Sequence, residues 1–133
     1  MLVFVYGTLT DRERADAVIG PGNYEFVSRA ELEGVRRVEG AYPTLAPGGS
    51  VDGRLLETDR EGVGALDAYE GVDQGLYVRV AVPIEDGETA WTYVGDPARL
   101  EVTEDVAWPG KGAFRERVRF TVADQNVRIR RLE

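Results

Sequence analysis

The chain has 133 residues, 43% of them hydrophobic, and a net charge of -8 from 16 basic and 24 acidic side chains. That length suits one domain with one core over residues 1–133, and the acidic balance argues against nucleic acid or an anionic membrane surface as a partner. Cysteine and histidine are both absent, which excludes a disulfide framework, thiolate or Ser–His–Asp catalysis, and zinc held by either residue.

Acid–base work must therefore fall to Asp, Glu, Tyr or the lone lysine, Lys111. Carboxylates alone can hold Mg²⁺ or Ca²⁺, but no ligand loop is spaced for either. There is no apolar run of membrane-spanning length and no basic–apolar secretory start, so a cytoplasmic protein is expected. Positive charge is almost entirely arginine and is outnumbered by acid, a balance expected of adaptation to high salt.

Leu2 to Tyr6 is a short apolar run rich in strand formers, which predicts a strand buried on both faces. Gly7 breaks it. Thr8-Leu9-Thr10 leads into a short helix capped by Thr10 or Asp11 and ended by Gly20-Pro21-Gly22. Tyr24 to Val38 alternates as one long or bent strand, and Ala41 to Ser50 reads as a Pro/Gly-rich loop. Val51 to Glu57 is a strand in which Gly53 marks a bulge or a close backbone approach.

A helix follows, with Thr58 as cap, Glu61 completing a capping box and Gly71 as a left-handed stop. Along it Val63, Leu66 and Glu70 fall on one face, so the apolar stripe ends in a carboxylate. Burial and the helix dipole both raise the pKa of an acid so placed, the direction a proton shuttle needs. Periodicity alone favours an ordinary solvated end residue for Glu70.

Leu76 to Ile84 is the next strand, Asp86-Gly87 a hairpin turn, and Thr89 to Val94 the returning strand, with Trp91 and Tyr93 as core. Arg79 reads as part of a solvated face. Phe114 to Val122 fits a helix or a strand, the helix being favoured, and Asn126 to Leu132 a half-exposed final strand. The fold class expected is α+β: a small mixed β-barrel, closed or strongly curved, with two or three flanking helices.

Phe4-Val5-Tyr6-Gly7-Thr8-Leu9 resembles the FVYGTL signature that opens γ-glutamylcyclotransferase-like domains. Leu66-Asp67-Ala68-Tyr69-Glu70-Gly71 followed by Tyr77 is similar to that family's LDxxEG…Y segment. Tyr42-Pro43-Thr44-Leu45 and Val51-Asp52-Gly53-Arg54-Leu55 are similar to its middle motifs in the same order. The resemblance spans about Leu2 to Gly95, and YGTL looks more like the branch acting on γ-glutamylamines.

It implies a cofactor-independent enzyme acting on a small γ-glutamyl amine or amide, which closes on itself to 5-oxoproline and releases the amine. Glu70 occupies the family's catalytic position, and with the resemblance the balance turns to a functional carboxylate. Backbone N–H groups of Gly7, Thr8 and Leu9 are expected to hold the oxyanion and the substrate's α-carboxylate. Tyr6 is a candidate substrate wall and Tyr77 a candidate hydrogen-bond partner of the substrate, each also explicable as packing. Tyr42-Pro43 is expected to shape the pocket rim. No metal or cofactor is implied, and the oligomeric state stays open, a homodimer included. The alternative is a small-ligand binding module on the same scaffold without catalysis.

Overall fold

The computed structural model describes residues 1–132. Six strands and three helices follow in the order β1 (Leu2–Val5), α1 (Arg12–Ile19), β2 (Tyr24–Val38), β3 (Thr44–Thr58), α2 (Arg60–Glu70), β4 (Tyr77–Pro83), β5 (Thr89–Gly95), α3 (Phe114–Asp124) and β6 (Arg128–Leu132). A 3₁₀ turn over Thr8–Thr10 joins β1 to α1. The strands lie in the order β4-β5-β1-β3-β2-β6. β1 is parallel to β5 and antiparallel to β3; every other pairing is antiparallel.

β1 explains why its residues are apolar throughout. Leu2 and Phe4 point into one core with Leu32, Leu55, Val80 and Val118, while Val3 and Val5 point into another with Ala15, Leu56, Val63 and Leu66. A strand with a core on each side cannot alternate polar and apolar residues. α1 and α2 cover the second face and α3 packs on β4. Phe114–Asp124 is helical because Val118 and Thr121 share its buried side, as the favoured of the two sequence readings requires.

Gly53 is a close approach. A Cβ there would stand 2.2 Å from the Val5 carbonyl and 2.7 Å from the Phe4 ring, so the central strand passes directly over it.

Three expectations are corrected. Ala41 to Ser50 is not a loop: β3 begins at Thr44 and pairs with β2 from Val38↔Thr44 to Tyr24↔Thr58. The turn-forming residues are accommodated at a register shift between Glu33 and Val35, where Gly34, Gly48 and Gly49 take positive φ. Pro47 is tolerated because this end of β3 is paired to β2 alone. The cap of α2 is Asp59, whose side chain accepts from the Gly62 N–H at 2.9 Å; Thr58 instead donates its hydroxyl to the Asn23 carbonyl.

Third, the barrel is not closed. β4 and β6 are the edges of an open sheet; just past β4 the chain meets β6 through an isolated Ile84–Ile129 bridge, a hydrogen bond from the Glu85 N–H to the Ile129 carbonyl, and ion pairs of Arg128 with Glu85 and of Arg131 with Asp86 and Glu88. β4 ends at Pro83, which has no N–H with which to continue a ladder. No helix is long and apolar enough to cross a membrane among the described residues.

Candidate active site

A cleft of about 450 Å³ opens between the end of β1, the 3₁₀ turn, α1, the last turn of α2 and the start of β4. Its floor is Phe4, Tyr6 and Tyr93; Tyr42 and Tyr69 stand exposed at its mouth.

Glu70 enters this cleft as the last residue of α2, one turn beyond the buried Leu66. A Schellman ending fixes the point at which the helix stops. The Val72 N–H donates to the Asp67 carbonyl at 3.1 Å, the Gly71 N–H to the Ala68 carbonyl at 3.2 Å, and Gly71 is left-handed at φ 67°. A side chain at Gly71 would meet Leu76 at 2.8 Å as well as backbone strain.

The same turn is tied to the sheet by Asp67. Its carboxylate accepts from the Tyr93 hydroxyl at 2.7 Å and from Arg79 Nη1 at 3.1 Å, and the Arg79 guanidinium lies 4.5 Å over the Trp91 ring. Arg79 is therefore part of the site's scaffold rather than a solvated face.

The Glu70 carboxyl is half-buried and accepts no hydrogen bond among the described residues. Burial pushes its pKa from 4.5 up to about 7, so near neutrality it exchanges protons readily in either direction. Burial raises the pKa values of Tyr6 and Tyr77 well above the usual phenol range; the Glu70 charge adds to the rise at Tyr77, and at Tyr6 the neighbouring Tyr77 and then Glu70 add to it.

Both phenols already donate their protons: Tyr6 to the Tyr93 carbonyl and Tyr77 to the Pro43 carbonyl, each at 2.6 Å. What each presents to the cleft is oxygen lone pairs, suited to an ammonium and not to an oxyanion.

The turn supplies the opposite polarity. The N–H groups of Gly7, Thr8 and Leu9 donate to no acceptor among the described residues, although the carbonyls of Gly7 and Thr8 are taken by Thr10 and Asp11. Gly7 lies at φ -117°, and a Cβ there would meet Pro43 at 3.7 Å, an ordinary van der Waals contact. Leu9 turns its side chain into the core beside Val3 and Val5 and offers only backbone.

All six residues singled out from the sequence, Tyr6, Gly7, Thr8, Leu9, Glu70 and Tyr77, line this one cleft, and so does Pro43 at its rim. Sequence reasoning missed Arg14 and Tyr69, linked at the mouth by a 3.2 Å hydrogen bond, and placed Tyr93 in the core alone. Tyr69 and Asp67 fall inside the LDAYEG stretch, where a signal was available; Arg14 sits on an exposed helix face that carries none. Among the described residues no group of three or more acidic side chains converges as a metal site requires.

Residues 3–112 match the family described as gamma-glutamyl cyclotransferase, AIG2-like, and the chain belongs to that family. Among solved structures it is similar to a gamma-glutamyl cyclotransferase at 23% identity and a TM-score of 0.60, over 71% of this chain and 66% of that one. The chain thus spans slightly less than two thirds of that relative's length. Protein ytfP from Escherichia coli aligns at 28% identity and a TM-score of 0.59, covering 72% and 83% of the two chains. An AIG2-like protein from Mus musculus aligns at 23% identity and a TM-score of 0.60, covering 84% and 89%. No match was found among curated proteins.

Proposed function

We propose that this chain cyclises a small γ-glutamyl amine or amide to 5-oxoproline and releases the amine, with Glu70 as the proton carrier. The observation that carries this is a carboxyl of pKa about 7 without a hydrogen-bond partner among the described residues, set in a cleft with lone-pair acceptors on one side and, among those residues, unpaired N–H donors on the other. Family membership supports the reaction class.

The substrate's α-ammonium rests against the oxygens of Tyr6 and Tyr77 and gives a proton to ionised Glu70. The freed amine attacks the γ-carbonyl carbon, and the carbonyl oxygen's developing charge is met by N–H groups of the Gly7–Leu9 turn. The C–N bond to the leaving amine then breaks as Glu70 returns a proton to that nitrogen. In all, the α-nitrogen loses two protons, one to Glu70 and one to solvent, and the leaving nitrogen gains two, one through Glu70 on departure and one from solvent afterwards.

Nucleophile and electrophile belong to one molecule, so holding it curled supplies much of the rate without a covalent intermediate. A module that only bound its ligand would gain nothing from a desolvated acid without a partner, which disfavours that alternative.

Incubation with a panel of γ-glutamyl compounds, followed by mass spectrometry of 5-oxoproline, tests the proposal. Equal amounts of 5-oxoproline and free amine are expected from at least one compound. Glutamate in place of 5-oxoproline would mean hydrolysis, and no product from any compound would remove the activity.

A further inference from the structure

Away from the cleft, under α3, two buried donors have no acceptor among the described residues: Trp108 Nε1 and Arg117 Nε. Neither residue lines the cleft. Trp108 is only 4% exposed and belongs to the core that Val118 of α3 also enters. Both side chains pack on Phe114, the first residue of α3. The indole meets that ring edge to face with centroids 6.3 Å apart, and the Arg117 guanidinium stands 5.8 Å from it. Arg117 Nη1 also donates to the Trp108 carbonyl at 3.4 Å. Two unspent donors, one of them cationic, are thus gathered around a single ring.

A helical side chain leans toward the N-terminus of its helix, so Arg117 reaches back over the first turn. The residue at the cap there, Ala113, supplies no side-chain acceptor, and the N–H groups of the first turn have no partner inside the helix. Charge points the same way. Residues 111 to 119 hold four cations, Lys111, Arg115, Arg117 and Arg119, against one acid, Glu116, in a chain of net charge -8. None of the four is in an ion pair among the described residues. Glu116 is exposed, and its carboxylate lies beside Gly112.

A buried guanidinium nitrogen without a counter-charge and an indole N–H without an acceptor are each costly. We propose that a small monovalent anion of the chloride class binds here, accepting from Trp108 Nε1 and Arg117 Nε at the N-terminal end of α3. Both nitrogens are sealed from solvent, which favours a single-atom anion over a phosphate. A water molecule would satisfy the donors and leave the charge uncompensated.

Melting temperature followed against chloride at constant ionic strength, with gluconate making up the balance, separates binding from screening. A saturable rise is expected, about 5 °C once chloride reaches ten times its dissociation constant. Coincident curves in chloride and gluconate would overturn the proposal and leave the place to water. Arg117→Met keeps the packing stem and removes the charge. It should abolish the chloride dependence and melt no lower than the native chain in gluconate, since an uncompensated cation is gone. Chloride dependence that survives in Arg117→Met would put the anion elsewhere and overturn the assignment.

Trp91→Phe leaves Trp108 as the only indole. In that background bromide should quench the fluorescence along a saturating curve, which Arg117→Met reduces to the shallow linear dependence of collisional quenching. Linear quenching in both proteins counts against the site.

Discussion

Replacing Glu70 by Gln should stabilise the protein, but only where the native acid is ionised. The carboxyl is half-buried, faces Tyr6 and Tyr77, and has its pKa pushed from 4.5 to about 7 by burial. Over that interval the folded chain retains a proton that the unfolded chain has released. The stability linked to that proton is complete below 4.5 and is lost as pH rises through about 7.

At about 1.4 kcal/mol per pH unit the whole interval corresponds to about 3 kcal/mol. Water in the open cleft screens part of it, leaving about 2 kcal/mol. Glutamine is neutral throughout and keeps a smaller desolvation cost of its own. Glu70→Gln should therefore unfold about 1–2 kcal/mol less readily than the native chain near pH 8, roughly 4–8 °C in Tm for a protein of this size. Near pH 4.5 the two should coincide.

Thermal melts of both proteins at each pH measure this, and taking the difference removes the titration of the other carboxylates they share. A difference independent of pH, or a native chain more stable than the variant near pH 8, would refute the claim that the acid is desolvated.

Three further outcomes are expected. Since ionised Glu70 starts the reaction, kcat/KM should rise about tenfold per pH unit below about 7 and level off above it; a flat profile from about pH 5 to 8 assigns the base elsewhere. Asp67→Asn loses the charge that holds Tyr93 and Arg79, so stability should drop by about 1–2 kcal/mol and turnover by more than KM. A double-mutant cycle with Tyr93→Phe should show coupling of about 1 kcal/mol, and strict additivity would deny the pairing. The excess of acidic over basic side chains predicts a higher Tm in about molar KCl than in dilute buffer, where screening removes self-repulsion; no gain means the composition does not reflect salt adaptation.

Much of this arrangement was legible because local pattern and tertiary role agree. The unbroken apolar β1 needs a core on each face, and the Val63, Leu66, Glu70 stripe ending at Gly71 places one acid at a defined depth. What was missed depends on contacts between distant segments. Thr44 to Ser50 forms strand because β2 supplies partners and three glycines absorb the register shift, although its composition favours turns. The cap moved from Thr58 to Asp59 because the Thr58 hydroxyl found the Asn23 carbonyl, 35 positions away in the chain.

The sheet stops short of closure because Pro83 ends β4 with a single bridge left to β6. Within the cleft, no local signal announces that the phenols of Tyr6 and Tyr77 spend their protons on backbone carbonyls, or that Arg14 reaches the Tyr69 hydroxyl 55 positions onward. Those are properties of the assembled fold.

Single-turnover release of 5-oxoproline by the native chain and by Glu70→Gln, on whichever γ-glutamyl compound the native chain prefers, bears on the proton-carrier role most directly. The variant should bind that compound about as tightly and form product at least about a thousandfold more slowly. A glutamine variant that releases 5-oxoproline at the native rate would contradict the role given to this carboxyl.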